Sequence, residues 1–387
     1  MSAMASTLPP AQHPLERLPE EWAEVLGGWG EPRYRGLQVF RWLHQRAVHD
    51  AASMTDLPRS LRARLAEEPL APPLETSRMH LSEDGTRKML VALPDGRTVE
   101  SVLIPMQSTT PGDGYTPEDA EGDEVSAPRA WVTQCISSQV GCAMACVFCA
   151  SGIAGFKRHL GAAEIVGQVM LGQAALAAHG ERVRNVVFMG MGEPLHNYDA
   201  VSRALRLLVH PDGLGLSKRR VTVSTSGLVP EIERLGRDFD GQVQLAISLH
   251  CPDDDRRSEL MPINRKYPLP MLVDALRRYP LPKRRRITIE YTLIDKFNAS
   301  RDDARALARL LRGIPVKVNL IPMNRVVDNP LGAPSWEVVD AFQDALRAEG
   351  VASFVRRRKG DDIAAACGQL ALEGERKKVR VPLPVTS

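Results

Sequence analysis

The sequence predicts an α/β fold: a partial barrel of six β-then-α units, preceded by an N-terminal helical module and a β-hairpin and followed by a C-terminal extension. Three observations carry this. Apolar strand-like runs at 131–136, 185–189, 220–224, 243–249, 287–293 and 316–321 alternate with helical stretches at 162–179, 199–208, 230–236, 268–279, 300–312 and 335–349. Strands that are apolar throughout suit a parallel sheet covered on both faces. The segments just past the strands are rich in Gly, Ser, Glu, His and Asn, the composition of a ligand site at the C-terminal rim of such a barrel. A doubly wound sheet is the alternative and gathers ligands at the same strand ends.

In chain order, residues 1–14 read as a disordered lead. Residues 15–70 read as helices, with Thr55-Asp56-Leu57-Pro58 marking one helix start. Arginines 33, 35, 41 and 46 run along this module, and its function would be nucleic-acid contact. In 75–106, Glu83-Asp84-Gly85 and Pro94-Asp95-Gly96 are turn signals between alternating runs, so Arg87–Leu93 and Thr98–Ile104 are expected to pair as strands. The acidic, Pro- and Gly-containing stretch 107–129 reads as a mobile surface insertion. The barrel follows at 130–350, and the extension at 351–387.

At 387 residues and 43% hydrophobic content the chain can bury a substantial core. No apolar run reaches membrane-spanning length, and the N-terminus lacks the basic and apolar regions of a signal peptide. Cysteines clustered in a large chain of this kind fit a reducing cytoplasm. The net charge of +3 says little, but basic residues gather at 218–220, 283–286, 356–359 and 376–378. Such clusters contact phosphates or form a solvated surface.

Four of the six cysteines fall within 135–149. Cys142, Cys146 and Cys149 are spaced C-x3-C-x2-C, with Phe148 before the last, and Cys135 precedes them. Three thiolates on one loop can converge on a soft metal centre. A fully ligated cubane cluster takes four cysteines, so three leave one iron open for a substrate or cofactor. The other readings are a structural zinc site, a Cys146–Cys149 redox pair and core cysteines clustered by chance.

Seven segments in order, CISSQVGCAMACVFCASG, FMGMGEPLHNYD, GLGLSKRRVTVSTSG, AISLH, MPINRKYPL, VNLIPMN and RRRKGDDIAAACGQL, resemble the RlmN branch of the RlmN/Cfr radical S-adenosylmethionine RNA methyltransferases. The match runs from about residue 31 to about 374. The resemblance implies a partial (β/α)6 radical SAM barrel with an N-terminal helical RNA-binding domain. It also implies methylation of carbon 2 of an adenine, in the peptidyl-transferase region of 23S rRNA and at position 37 in the tRNA anticodon stem-loop. Carbon 2 lies between two nitrogens and is electron-poor, so radical chemistry supplied by a cofactor suits it better than nucleophilic attack on a methyl sulfonium.

By the same resemblance, Cys142, Cys146 and Cys149 hold a [4Fe–4S] cluster, and S-adenosylmethionine chelates its open iron. Gly192, Glu193, Ser224, Ser248, Leu249, His250 and Asn324 match cofactor-contacting positions. Cys367 matches the cysteine that first accepts a methyl group. Cys135 matches the one that takes a proton from the RNA adduct and then attacks the Cys367 sulfur, forming a disulfide and releasing the base. Glu100 matches a candidate acid–base carboxylate. Read without the family, Cys135 and Cys251 are packed thiols, Cys367 sits on a flexible tail loop, His250 is a core histidine, Glu193 is a helix-start carboxylate and Glu100 lies on the outer face of a hairpin. The family likeness further implies an electron donor such as flavodoxin and a monomer. The nearest rival is methylation of carbon 8 of the same ribosomal adenine; a zinc-stabilised RNA-binding protein is the rival from another class.

Overall fold

The computed structural model describes residues 11–106, 131–326, 329–356 and 359–370. The acidic stretch 107–129, most of the expected lead and the 376–378 basic run lie outside the described residues.

The N-terminal module contains α1 (Pro19–Gly28), α2 (Arg35–Phe40), which continues as a π-turn to Gln45, and α3 (Arg59–Leu65). It packs against the barrel rather than standing apart. The buried Arg203 guanidinium donates to the Glu21 carboxylate (2.8 and 3.0 Å) and to the Glu16 carbonyl (3.0 Å). Glu16 in turn accepts from the Ala163 N–H at 3.0 Å. At the other end of the module Phe40 packs on His210, and Arg41 pairs with Asp212.

Strands β1 (Glu75–Leu81), β2 (Arg87–Ala92) and β3 (Thr98–Met106) follow, joined by the two Asp-Gly turns. Next come β4 (Trp131–Cys135), the short β5 (Gln139–Val140), α4 (Ala150–Ala154) and β6 (Arg158–His159). Four β/α units follow: α5 (Ala162–Ala177) with β7 (Val183–Phe188), α6 (Tyr198–Val209) with β8 (Val221–Thr225), α7 (Val229–Phe239) with β9 (Gln244–Ser248), and α8 (Asp254–Leu260) and α9 (Leu269–Arg278) with β10 (Ile287–Leu293). The chain ends through α10 (Arg301–Leu310), β11 (Val316–Pro322), α11 (Trp336–Ala348) and β12 (Ser353–Val355).

Among the described residues ten strands form one sheet, in the order β1-β2-β3-β4-β7-β8-β9-β10-β11-β12, and β5 pairs with β6 apart from it. Pairing is parallel from β4 through β12 and antiparallel in the hairpin extension. This is the expected partial barrel. Its helices form where apolar positions recur on one face, and Ser300 shows the local cause of a start: its hydroxyl accepts from the Asp303 N–H while the Asp303 carboxylate accepts from the Ser300 N–H. The sequence reading placed the six barrel strands and the helices after them within a few residues. It did not foresee β1, α8 or the three-residue β12, whose runs are too short or too polar to show a period.

Candidate active site

The three clustered cysteines lie on the loop between β5 and α4. The loop is tightly closed: a side chain on Gly141 would place Cβ 1.8 Å from the Gly155 carbonyl oxygen, and its φ of 72° is one that glycine tolerates. Burial pushes the Cys142 thiol up to about 12 and Cys146 well above its ordinary value, and the thiols' mutual repulsion adds to this. Among the described residues no three His, Cys, Asp or Glu side chains surround one point as a single ion would require. A cubane's cysteines each bind a different iron, so its ligand set need not meet at one point.

The rim is built on this side of the sheet. Gly192 (φ 102°) packs where a Cβ would come within 2.6 Å of Gln139. Glu193 is buried; one carboxylate oxygen accepts from the Leu195 N–H (3.0 Å), the other from the Ser226 N–H (2.7 Å). Burial raises its pKa against these bonds. It is thus a helix-start carboxylate as well as a rim group. Ser224 ends in the buried part of β8, and Ser248, Leu249 and His250 follow one another off β9. His250 has φ 58°, and its Nδ1 accepts from the Thr292 N–H at 2.9 Å. Burial lowers its pKa to about 3, with Arg257 adding to the shift, so the ring is neutral. Phe148 of the cysteine loop packs edge-on against it at 4.8 Å.

One residue missed by sequence reasoning holds this rim together. Arg257 is fully buried and donates to the carbonyls of Leu249 (3.0 Å), Ser226 (2.8 Å) and Ser248 (3.1 Å) and to the Asn264 side chain. Cys251 is buried in a small apolar cluster with Leu260, Met261, Ile294 and Met323, as its packing assignment expects.

Cys135 faces Val187 across the sheet, Val187 and Cys367 line the same cavity, and Cys367 lies within electrostatic reach of Cys135. Cys135 ends β4, opposite Val102 on one neighbour and Val187 on the other. Burial pushes its thiol up to about 12, Cys367 adds to this, and the Arg356 charge opposes it. Arg356 had been read with the 356–359 basic cluster as a phosphate contact or solvated surface. Instead it lies within electrostatic reach of Cys367, Glu290 and Cys135.

Cys367 is not on a free tail. The Asn324 amide donates to its carbonyl (2.9 Å), the Gly368 carbonyl accepts from the Ala150 N–H (2.8 Å), and the Ser151 hydroxyl donates to the Leu370 carbonyl (2.7 Å). Both Ala150 and Ser151 directly follow Cys149. From the other side the hairpin grips the loop. Asp84 accepts from the Gly360 N–H (3.0 Å), and Asp362 accepts from the Ser82 hydroxyl (2.6 Å).

Glu100 is only 3% exposed, which corrects the outer-face reading. It pairs with Lys88 at 2.9 Å, and Lys88 reaches the Ala364 carbonyl at 3.5 Å. In the strand register Lys88 faces Val102 and Val102 faces Cys135, so Lys88, Glu100 and Cys135 share one face. A lysine inside an otherwise apolar strand, Arg87–Ala92, was the available signal for this pair.

Comparison with known proteins agrees with this geometry. Residues 136–311 match the Radical SAM superfamily, and residues 19–69 match the Ribosomal RNA large subunit methyltransferase N-terminal domain. The chain is 59% identical over 380 residues to a dual-specificity RNA methyltransferase RlmN of Sorangium cellulosum, covering 95% of this chain and 97% of that one. It is 48% identical to the Geobacter sulfurreducens counterpart, covering 91% and 89% of the two chains. The chain belongs to the RlmN family of radical SAM RNA methyltransferases. A crystal structure of a radical SAM methyltransferase from Sphaerobacter thermophilus matches with a TM-score of 0.82 at 43% identity, covering 93% of this chain and 99% of that one.

Family membership implies S-adenosylmethionine and an iron–sulfur cluster, and the residues present fit both. Three soft donors lie on one closed loop, and metal coordination would hold as thiolates what burial alone keeps protonated. The Asn324 side-chain oxygen is buried beside Cys367 with no partner, an acceptor left open for a ligand. All six cysteines are free thiols, so the expected Cys135–Cys367 disulfide is not shown by the structure. Among the described residues no helix is long and apolar enough to cross a membrane.

Proposed function

We propose that the chain methylates carbon 2 of adenosine in 23S rRNA and in the tRNA anticodon stem-loop, with Cys367 as methyl carrier and Cys135 as the resolving thiol. The observation that supports this most is that Cys135 shares a sheet face with Val187, which lines the same cavity as Cys367, while the Cys367 loop is tied to Ala150 and Ser151 directly after Cys149. Cys142, Cys146 and Cys149 would hold the [4Fe–4S] cluster, and Gly192, Glu193, Ser224, Ser248, Leu249, His250 and Asn324 would line the S-adenosylmethionine site. Together these groups, when bound, supply a carbon-centred radical.

The chain's own residues do the rest. Glu193 is a buried carboxylate suited to an ammonium group. Neutral His250 fixes the backbone past β9. Cys367 carries the one-carbon unit, which becomes bonded through its carbon, not through sulfur, to carbon 2 of the base. After the adduct gives up one electron, Cys135 takes the carbon 2 proton and then attacks the Cys367 sulfur. The sulfur–sulfur bond forms as the Cys367 sulfur–carbon bond breaks, and the released carbon takes a proton and stays on the base as its methyl group, which leaves a disulfide in the protein. Arg356 favours the Cys135 thiolate that attack needs. Glu100, held by Lys88, is the further acid–base group on the same face.

The helical module 15–70 would meet RNA. Arg35 stacks over Tyr34, which is 59% exposed, and Arg46 and Arg64 stack over Trp42 and Trp29. The protein is read as a cytoplasmic monomer reduced by a carrier such as flavodoxin. The test is nucleoside analysis of rRNA and tRNA from a host lacking its own enzyme and expressing this chain. The reading expects 2-methyladenosine in both; 8-methyladenosine, or no new nucleoside, contradicts it.

A further inference from the structure

We propose that the bore of the barrel is the channel for the target nucleotide. It would be approached from the strand ends opposite the cofactor loops, with Glu290 and Asn319 reading the adenine 6-amino group inside it. This rests on the reading that the chain methylates adenosine in RNA.

A cavity of about 990 Å³ runs the length of the strands. At one end it is lined by Asn324 and Cys367. At the other it is lined by Arg219 and Arg220, which precede β8, and by residues 283–286, which precede β10. The interior of a closed barrel is normally filled by layers of Val, Ile and Leu. Here Thr222, Gln244, Thr288, Glu290 and Asn319 line an open space alongside apolar residues such as Val187 and Ile321. The volume is that of a small-molecule pocket, enough for a flipped nucleotide but not for a duplex.

Two buried oxygens in the bore point to the ligand. The Asn319 amide donates to one oxygen of Glu290 at 3.1 Å. The second Glu290 oxygen and the Asn319 carbonyl oxygen are buried with no partner. Glu290 is 4% exposed. Native interiors rarely leave such acceptors open. Adenine offers hydrogens from its 6-amino group and acceptors on either side of it. An ionised Glu290 gives two acceptors for that amino group. Burial raises the Glu290 pKa, with Arg356 opposing; a Glu290 that kept its proton would give a donor beside the Asn319 acceptor, matching the amino group and its neighbouring ring nitrogen. Both patterns use the 6-amino group.

The far mouth is built for phosphates. Lys283 and Arg284 are exposed there. The runs 218–220 and 283–286 stand at this end because each precedes its strand rather than following it. The N-terminal module flanks the same end through Phe40 on His210 and Arg41 on Asp212, just upstream of residues 218–220.

The first arm of the test uses wild-type enzyme on anticodon stem-loops that carry adenosine or purine riboside, which lacks only the amino group, at the target position. Adenosine should be favoured about ten- to a hundredfold in kcat/KM, the scale of a hydrogen bond to a buried oxygen. Asn319→Leu, shown to be folded by its circular dichroism, should bring the two substrates together. Equal rates in wild type, or an unchanged ratio in the folded variant, overturn the assignment of these oxygens. Activity on adenosine itself reports separately on the underlying reading. Should Asn319→Leu not fold, the wild-type ratio still decides.

The second arm places a photoreactive benzophenone side chain at Arg284 or at Phe156, which is exposed on the cofactor-loop side. Crosslinking of the stem-loop at 284 and not at 156 is expected; the reverse overturns the direction of approach. Lys283→Ala and Arg284→Ala should each reduce the salt dependence of RNA affinity, by about 0.7 in log–log slope for each phosphate lost; an unchanged slope in both counts against the mouth.

Discussion

Cys135 and Cys367 lie within electrostatic reach of one another but are held by opposite means. Cys135 is part of a strand with ladder bonds on both sides, and it is 7% exposed. Moving it would break the sheet. Cys367 has no regular element around it. Its loop is held by individual hydrogen bonds to Asn324, Ala150, Ser151, Asp84 and Ser82. Each bond contributes only about 0.5–1.5 kcal/mol, so the loop can move without unfolding the barrel. On the proposed reading, Cys367 is loaded with a methyl group, carries it to RNA and is resolved, so it has to change neighbours, whereas Cys135 has only to stay in place.

The largest expected effect comes from breaking the rigid half. Arg257→Met removes a buried cation and strands three carbonyls, which should cost about 3–5 kcal/mol. Thermal melting should show the loss. The rim at Ser226, Ser248 and Leu249 should then gain hydrogen exchange while the Cys367 loop is unaffected. A loop that loosened equally would erase the distinction between the two halves.

Next in size is Lys88→Met. It removes the ammonium that pairs with the buried Glu100 carboxylate at 2.9 Å. Turnover should fall by about 10²-fold, the scale of one general acid–base group. An unchanged turnover would reduce Lys88 to a packing role.

The loop clamp should be sensitive to acid. The Ser82 hydroxyl lowers the Asp362 pKa, and at Asp84 the bonds from Thr86 and Gly360 outweigh burial and lower it too. Depressed carboxyl pKa values mean that the clamp is intact above the ordinary carboxylate range and lost as pH falls below it. Proteolysis near Gly360 should therefore appear in acid before the sheet melts. Asp84→Asn with Asp362→Asn should bring that behaviour to neutral pH and lower kcat by up to about 10²-fold, since catalysis is steep in position. The smallest effect is expected at a surface pair. Arg278 is exposed and Glu233 half-buried at the surface, and Arg278→Ala should change stability by no more than about 1 kcal/mol.

Much of this contrast was legible in the chain. The alternation of apolar runs located every barrel strand from β4 to β11, because buried parallel strands have a distinct composition. The cysteine spacing and Gly190-Met191-Gly192-Glu193 located the rim. What stayed hidden depends on contacts between residues far apart in sequence. Without the family likeness Glu100 read as an outer-face residue, because nothing local shows that Lys88 faces it across the hairpin. Arg257 lies in a short polar helix, and only the fold brings three rim carbonyls around it. Arg356 was grouped with its basic neighbours, although β12 turns it inward toward the cysteines. The Cys367 loop looked free because its straps come from residues 82, 84, 150, 151 and 324.

The most direct test of the two-thiol account is a Cys135→Ala variant, expressed in cells and purified under denaturing conditions. With the fixed thiol gone, the RNA bond to the movable one cannot be resolved. RNA should remain covalently attached at Cys367, and sequencing it should give 23S rRNA and tRNA linked through carbon 2 of adenine. An absence of RNA on protein whose iron–sulfur cluster is shown to be intact would contradict the assigned roles of both cysteines.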